Sequence, residues 1–194
     1  MMYTNIFRGA LVRLTTEDPE TAGKVLSGWA RDSEYVRLFD SPPGLLWSAK
    51  KIQSWIERDL EGGYRDGYFF EVRTLEEDRL IGLANLFGLS WTHSDTWLGI
   101  GLGERAYWGK GYGTDAIRII LRYAFTELNL RRVTLGVFAY NPRAIKSYEK
   151  AGFKVEGRLR QYLARDGHRH DMIIMGMLRE EWLRGAVSIH STVV

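Results

Sequence analysis

Seven segments of this chain are predicted to be strands: residues 9–15 alternate between apolar and polar side chains, and the other six are short segments rich in apolar residues. These segments are residues 9–15, 68–74, 79–86, 96–102, 132–138, 154–164 and 168–178. An acidic turn at residues 76–78 separates the second and third segments, and Asp166-Gly167 separates the last two. Both turns are short, so each of these two pairs of strands is predicted to form a hairpin.

Apolar residues recur at helical spacing in four of the remaining segments, which are bounded by residues that commonly begin or end a helix. The boundaries are Asp18-Pro19 before the first helix, Ser48 and Gly62-Gly63 around the second, the glycines at 109–113 before the third, and Asn141-Pro142 and Gly152 around the fourth. Two prolines make residues 39–44 a loop between the first two helices. Residues 179–194 are predicted to be a helical fragment followed by a tail.

Residues 96–116 combine a strand, a glycine loop and the start of a long amphipathic helix. Gly109, Gly111 and Gly113 alternate directly before that helix. Glycines let the backbone approach a ligand closely, and the first turn of a helix offers unpaired N–H donors. This order predicts a binding site for a diphosphate. The helix also connects strand 96–102 to strand 132–138, which implies that these two strands are parallel.

Two common phosphate-binding motifs fit this stretch poorly. A nucleotide-hydrolase P-loop requires glycine, four residues and then Gly-Lys-Ser/Thr, but Glu104 stands at the first glycine position and Gly111 follows Lys110. The dinucleotide motif G-x-G-x-x-G/A is satisfied by residues 101–106. However, the sequence Trp-Gly-Lys-Gly at 108–111 prevents a helix from beginning there, so a nucleotide-binding oxidoreductase is the weaker alternative.

The glycine loop closely resembles the acyl-coenzyme A loop of the GNAT N-acetyltransferases, whose motif is Q/R-x-x-G-x-G/A at the start of a helix. Residues 108–113 fall on that motif, with Trp108 where glutamine or arginine is usual. The form Tyr-Trp-Gly-Lys-Gly is common in the branch that includes ribosomal-protein and other protein N-terminal acetyltransferases. Residues 47–55 also resemble the second helix of this branch.

A second motif of the family, N-x-x-(A/S)-I-x-x-Y-E-K-x-G-F, is matched by residues 141–153. By these two motifs the chain is identified as a GNAT family member. The resemblance implies a mixed α/β fold, with a central sheet of about seven strands flanked by about four helices, in a single N-acetyltransferase domain over residues 1–194. It also implies an enzyme that moves an acetyl group from acetyl-coenzyme A to a primary amine by direct attack.

The resemblance assigns roles to particular residues. The residues expected to bind acetyl-coenzyme A are Ile100 and Leu102 at the pantetheine arm, Trp108, Gly109, Lys110, Gly111, Tyr112, Gly113 and Thr114 around the pyrophosphate, and Asn141. Tyr148 is the expected general acid that protonates the departing thiolate, and a phenol with a pKa of about 10 suits that task.

Some of these residues also have simpler structural explanations. Asn141 is a helix cap, and Tyr148 shares the buried face of its helix, so spacing alone predicts a core tyrosine. Arg143, Lys146 and Lys150 form a basic stripe on the opposite side of that helix. The stripe is either a solvated face or a contact for the ribose phosphate of the coenzyme.

The general base has no clear candidate on the strand before the glycine loop, because residues 96–103 contain no carboxylate and Asp95 lies only at its start. A water chain, Glu71, Glu156 or no residue at all could act as the base. An α-amine with a pKa of about 7.8 is roughly one-seventh neutral at pH 7, whereas about one lysine in 2,500 is neutral. The acceptor is therefore predicted to be a protein or peptide N-terminus.

Other acceptors and a non-enzymatic role remain as alternatives. A polyamine or an aminoglycoside could accept the acetyl group, and a GNAT-fold domain could bind coenzyme A only as a sensor. Residues 39–44 and the turn at Asp166-Gly167 are expected to line the acceptor groove. His168 and His170 share one face of a strand, but they lack a third clear ligand, so no metal site is expected.

Composition narrows the class of protein further. The 194 residues are 45% apolar, which is enough for one domain with a substantial core. The net charge is only +3 and no basic block stands out, so nucleic acid is not an expected partner. The absence of cysteine excludes thiol catalysis and disulfides. No secretory signal or membrane span is recognisable, which predicts a cytoplasmic protein. A homodimer is compatible with the resemblance.

Overall fold

A computed structural model describes residues 5–16, 18–61 and 67–190 of the chain. Its strands are β1 (Val12–Thr15), β2 (Gly67–Thr74), β3 (Leu80–Ser90), β4 (Asp95–Leu102), β5 (Arg132–Phe138), β6 (Lys154–Arg165) and β7 (His168–Leu178). They form one sheet in the order β1-β2-β3-β4-β5-β7-β6. β4 and β5 are parallel, and the other neighbours are antiparallel. The predicted mixed sheet of seven strands is confirmed.

The described part of the chain contains six α-helices: the four that were predicted, the helical fragment predicted from residue 179, and one that was not predicted. They are α1 (Pro19–Trp29), α2 (Ser33–Phe39), α3 (Ala49–Glu61), α4 (Tyr112–Thr126), α5 (Pro142–Ala151) and α6 (Arg179–His190). The pattern missed α2, because seven residues give too few turns for a helical period to stand out. Its start is nevertheless well capped, since the Asp32 carboxylate accepts hydrogen bonds from the backbone N–H groups of Glu34 and Tyr35 at 3.0 and 3.2 Å.

Four predicted helix boundaries are confirmed, whereas Gly113, predicted to precede α4, lies in its first turn, and Phe39, predicted to begin a loop, is the last residue of α2. Asp18 caps α1, with Pro19 as the first helical residue. Ser48 accepts a hydrogen bond from the backbone N–H of Lys51 at 3.2 Å at the start of α3. Asn141 caps α5, which ends at Gly152 with a φ of 101°. Gly62-Gly63 lies outside the described residues.

β1 is shorter than the predicted segment 9–15, because the preceding backbone is held by a helix instead of a neighbouring strand. The Asp115 carboxylate in the first turn of α4 accepts hydrogen bonds from the N–H groups of Ala10, Leu11 and Val12 at 3.1, 2.7 and 3.0 Å. We call this arrangement the Asp115 clamp. It fixes the residues before β1 against the start of α4.

Two buried clusters cover the two faces of the sheet. One contains most of α4 together with Ala84, and the other contains the apolar faces of α1 and α3 together with Leu83. Leu83 and Ala84 are adjacent on β3, so their side chains point to opposite faces of the sheet. No helix in the described part of the chain combines the length and apolar content needed to cross a membrane.

Glycines on one face of β4 let aromatic rings lie directly on the strand. A Cβ added to Gly101 would lie 2.3 Å from the Phe39 ring, and one added to Gly103 would lie 1.9 Å from the Trp29 ring. These are the two glycines that satisfy the dinucleotide motif. Their absent side chains make room for rings from α1 and α2, so the structure explains them without a dinucleotide.

Candidate active site

β4 and β5 separate part of the way along the sheet. They pair at Asp95–Arg132, Thr96–Val133 and Trp97–Thr134, and the register ends there, although both strands continue. Directly after β4, the N–H of Gly103 donates to the Ile81 carbonyl oxygen on β3 at 2.9 Å. Backbone direction alternates along a strand, so the N–H and C=O groups of Ile100 and Leu102 point away from β3 and into the gap.

The glycine loop requires glycine at two of its three positions. Gly109 has a φ of 72°, and Gly111 has a φ of 94° and forms the left-handed N-cap of α4. Gly113 has no such backbone constraint, and a Cβ there would meet its nearest neighbours at ordinary distances of 3.7 and 3.8 Å. The loop therefore presents backbone and the N-terminus of a 15-residue helix to the adjoining cavity. These are features that suit a pyrophosphate.

Trp108 has a specific role at the position where the family motif usually has glutamine or arginine. Its indole N–H donates to the Leu102 carbonyl oxygen at 2.7 Å, which ties the loop to the end of β4. The guanidinium group of Arg143 lies 3.7 Å from the centre of the Trp108 ring, within cation–π range. Trp108 thus connects β4, the glycine loop and α5.

A cavity of about 670 Å³ lies between the loop, α4 and α5, and we call it the donor cavity. Four cationic residues line it: Arg118, Arg143, Lys146 and Lys150. The one carboxylate on its described wall, Asp115, already accepts three backbone hydrogen bonds in the Asp115 clamp. The excess of positive charge fits a polyphosphate ligand. The three residues of the basic stripe line this cavity and are also exposed, so this placement is compatible with both explanations of the stripe.

Most residues that were predicted to bind the cosubstrate lie on the wall of the donor cavity. These are Ile100, Leu102, Trp108, Gly109, Gly111, Gly113, Thr114 and Asn141. Lys110 and Tyr112 do not line it, since Lys110 is exposed and the Tyr112 ring packs against Tyr107 at 4.9 Å between centroids. Ala10, Leu11 and Arg118 also line the cavity, and no local sequence motif indicated them.

A second cavity, of about 1150 Å³, shares part of its wall with the first, and we call it the acceptor cavity. The shared residues define the junction between the two cavities: Tyr35, Leu38, Phe39, Ile100, Asn141, Ala144 and Tyr148. Three of them come from α2, the helix that the sequence did not predict. The Asp32 cap would have been the signal for it, as an N-cap residue followed by an acidic first turn.

Tyr148 is buried at this junction, with 7% of its surface exposed. Burial raises the pKa of its hydroxyl to about 12, because desolvation disfavours the phenolate. Among the described residues the hydroxyl has no hydrogen-bond partner. The side chain therefore remains protonated at neutral pH and is available to a ligand in either cavity.

Neither glutamate that was considered as a base lies at the junction. Glu71 is 3% exposed and accepts a hydrogen bond from the Arg73 guanidinium at 2.9 Å. Glu156 pairs with Arg132 on the neighbouring part of the sheet. Neither residue lines the donor or the acceptor cavity.

The proline loop lines the acceptor cavity, whereas the turn at Asp166-Gly167 does not. Residues at the turn instead contact α2 and the proline loop. Asp166 pairs with Arg37 on α2, and Arg165 donates to the carbonyl oxygens of residues 40, 41 and 42 at 2.8 to 3.1 Å. The β6–β7 hairpin therefore holds the loop that forms the wall.

The two histidines of β7 have separate surroundings. His168 is exposed, whereas the His170 ring packs against Tyr140 at 4.9 Å between centroids. Within the described ranges, no group of three or more histidine, aspartate or glutamate side chains is placed to hold a metal ion.

Comparison with known proteins agrees with this geometry. Residues 8–154 match the family described as the acetyltransferase (GNAT) domain. The chain is 30% identical over 151 residues to the SPbeta prophage-derived uncharacterized N-acetyltransferase YokL of Bacillus subtilis, covering 78% of this chain and 82% of the relative. It is also 30% identical over 135 residues to the "Putative ribosomal N-acetyltransferase YdaF" of Bacillus subtilis, covering 70% and 73% of the two chains.

The fold has a close counterpart among solved structures. A spermidine N-acetyltransferase from Vibrio cholerae, solved in complex with CoA and spermine, superposes with a TM-score of 0.74 at 24% identity. The alignment covers 89% of this chain and 96% of that protein. At this identity the likeness concerns the fold.

The chain belongs to the GNAT acetyltransferase family. It is an N-acetyltransferase whose acetyl donor is acetyl-coenzyme A.

Proposed function

We propose that this enzyme acetylates the N-terminal α-amine of a protein or peptide. The observation that carries the proposal is the composition of the junction, where the acetyl group and the amine must meet. Its seven residues include no carboxylate and no histidine. An acceptor that is partly neutral without enzymatic help is therefore favoured over one that needs a strong base.

The difference between the two kinds of protein amine is large. With a pKa of about 7.8, roughly one α-amine in seven is neutral at pH 7, whereas a lysine with a pKa of about 10.4 is neutral about once in 2,500. Lysine is thus disfavoured by a few hundred-fold before any recognition is considered. The relative named as a ribosomal N-acetyltransferase supports the same class of acceptor.

The donor site would hold acetyl-coenzyme A with its pyrophosphate at Gly109 and Gly111 and its pantetheine arm in the gap beside Ile100. The cosubstrate supplies an acetyl group activated as a thioester. The amine nitrogen forms a bond to the carbonyl carbon as the carbon–sulfur bond breaks, and the amine releases a proton to solvent. Tyr148 donates its phenolic proton to the departing sulfur and regains one from water.

A polyamine acceptor is the second candidate, because the structural neighbour from Vibrio cholerae is titled as a complex with spermine. The acceptor cavity of this chain offers little to such a ligand. Asp40 is the single acidic residue on its described wall, whereas a polyamine brings several positive charges. We therefore rank this acceptor below an N-terminus.

Competition between two peptides tests the proposed acceptor. One peptide has a free N-terminus and no lysine, and the other has a blocked N-terminus and differs in sequence only by one lysine. We expect the free N-terminus to be acetylated at least about 100-fold faster at pH 7, as the neutral fractions dictate. Mass spectrometry of the products measures both rates in one mixture.

Raising the pH to 9 provides the control, because the neutral fraction of lysine then rises about 100-fold while that of the α-amine saturates. The advantage of the N-terminus should shrink accordingly. Preferential acetylation of the lysine peptide at pH 7, or of spermidine over both peptides, would contradict the proposal.

A further inference from the structure

The two cavities have opposite chemical characters. Four cations line the donor cavity, whereas the described wall of the acceptor cavity has no lysine, arginine or histidine and a single carboxylate, Asp40. Eleven aromatic side chains line the acceptor cavity. Several of them, including Trp55, Phe87, Trp97 and Tyr162, remain 38% to 48% exposed. Exposed rings of this kind around a cavity mark a surface that binds apolar groups.

We infer that the acceptor amine is carried by a residue with a large apolar or aromatic side chain, such as an N-terminal phenylalanine, leucine or methionine. The inference rests on the proposed N-terminal acetylation and specifies its acceptor. The amine reaches Tyr148 and Ile100 at the junction, and the side chain of the same residue lies among the rings of the acceptor cavity.

The charge of the acceptor cavity argues against a strongly cationic acceptor. One carboxylate can pair with one ammonium group. A second ammonium group in the cavity would lose its hydration and would have only the faces of aromatic rings as partners. Cation–π attraction to tryptophan or tyrosine is weaker than the desolvation penalty of a charged amine. An apolar side chain meets no such penalty, because transfer from water to an apolar wall is favourable.

A second copy of this chain could instead cover the exposed rings, but the cavity is not a flat patch. It shares wall residues with the donor cavity, among them Tyr35, Phe39 and Tyr148. A partner surface that filled it would block the amine from the thioester. The geometry therefore favours a substrate as the occupant.

The experiment compares peptides that differ only in the first residue: phenylalanine, leucine, serine or aspartate. Spermidine and phenethylamine are included as non-peptide amines. We expect kcat/KM for phenylalanine and leucine to exceed that for serine by about 10- to 100-fold, which corresponds to about 1.4 to 2.8 kcal/mol. Aspartate and spermidine should be poorer than serine.

Trp97 offers a matched pair of variants, because it is 39% exposed and lines only the acceptor cavity. Trp97→Glu adds a carboxylate, and Trp97→Gln removes the ring without adding charge. Both should lower the preference for phenylalanine over serine by about 10-fold. Trp97→Glu alone should raise kcat/KM for spermidine. Calorimetric affinity for coenzyme A should stay within about twofold in both variants, which verifies that the donor cavity is folded.

The outcomes separate this inference from the proposed function. Equal rates for phenylalanine and serine peptides would overturn the inference and leave N-terminal acetylation intact. Acetylation of phenethylamine but of no peptide would overturn N-terminal acetylation and support the apolar acceptor. Spermidine as the best acceptor would overturn both. Unchanged acceptor rates in Trp97→Glu together with a shift from dimer to monomer in sedimentation would identify the rings as an interface between copies and overturn the inference.

Discussion

Burial has two consequences for Tyr148 as a general acid: the hydroxyl stays protonated, and it is a weaker acid than an exposed tyrosine. Its pKa of about 12 keeps the hydroxyl protonated across the physiological range, and its position places it against both cavities. Spacing along α5 predicted a core tyrosine, and family resemblance predicted an acid. The two predictions are compatible, because a residue that packs against Phe153 can still direct its hydroxyl to a cavity.

Removing only that hydroxyl tests the assignment. We expect Tyr148→Phe to lower kcat by about 10²- to 10⁴-fold, the usual contribution of a general acid, with little change in coenzyme A affinity. Rapid-quench measurement of the first turnover separates chemistry from product release. Near-normal kcat with chemistry rate-limiting would leave Tyr148 with a packing role only.

The raised pKa also fixes the pH dependence. The unfolded tyrosine loses its proton near pH 10, whereas the folded one keeps it to about pH 12. Between these values the unfolded chain binds fewer protons, so the contribution of Tyr148 to stability is present below pH 10 and is lost as pH rises through 12. Accordingly, deprotonation of Tyr148 should cause no decline in kcat between pH 7 and 9.

At the scale of elements, the glycine loop depends on backbone conformations that other residues adopt with difficulty. Gly111→Val places a β-branched side chain at a φ of 94° on the wall of the donor cavity. Strain of about 1–2 kcal/mol is expected, together with loss of coenzyme A affinity by at least about 100-fold as the pyrophosphate is displaced. Calorimetry measures the affinity, and circular dichroism verifies the fold.

Gly157→Val is a suitable control for the loop variant. Gly157 lies on β6, its φ is not positive, and no atom lies within 4 Å of an added Cβ. This variant should bind coenzyme A normally. If Gly111→Val also bound normally, the loop would not be the pyrophosphate site.

Local signals explain which elements could be predicted from the sequence. Residues 132–138 and α5 were located correctly, because the alternation of a strand and the capping of a helix depend on residues that are close in sequence. The role of α2 could not be predicted in this way. Arg105 holds it from a distant loop by two hydrogen bonds of 2.6 Å to Asp32, and this pairing lowers the pKa of Asp32 to about 2. Patterns among neighbouring residues cannot predict a contact between residues so far apart in sequence.

At the scale of the whole molecule, the Asp115 clamp joins the start of the chain to the donor cavity. Ala10 and Leu11 lie on the cavity wall, and the Asp115 carboxylate accepts hydrogen bonds from their N–H groups. No periodicity could have predicted these wall residues, since the contact joins positions more than a hundred residues apart. The clamp should therefore affect both stability and cosubstrate binding.

Removing the carboxylate tests this coupling. Hydrogen bonds to a charged group are worth about 1.5–3 kcal/mol each, and partial exposure reduces the sum for the three here. We expect Asp115→Ala to cost about 2 kcal/mol and to lower Tm by about 4–8 °C for a chain of this length. Coenzyme A affinity should fall as well.

The exposed Glu127 lies at the other end of α4, where the helix dipole disfavours a negative charge, so Glu127→Ala should leave Tm unchanged or raise it slightly. Differential scanning fluorimetry with and without coenzyme A compares the two variants. An equal Tm for Asp115→Ala and Glu127→Ala would show that the clamp contributes nothing beyond charge.

The Asp115 clamp can form only after more than half of the chain has been synthesised. Asp115 follows Ala10 by 105 residues, so at about 5–20 residues per second roughly 5–20 s of synthesis separate the two halves of the contact. The donor cavity further requires α5, which is made later still. Acetyl-coenzyme A therefore cannot assist the early part of the chain on the ribosome, and it stabilises only molecules whose synthesis has passed α5.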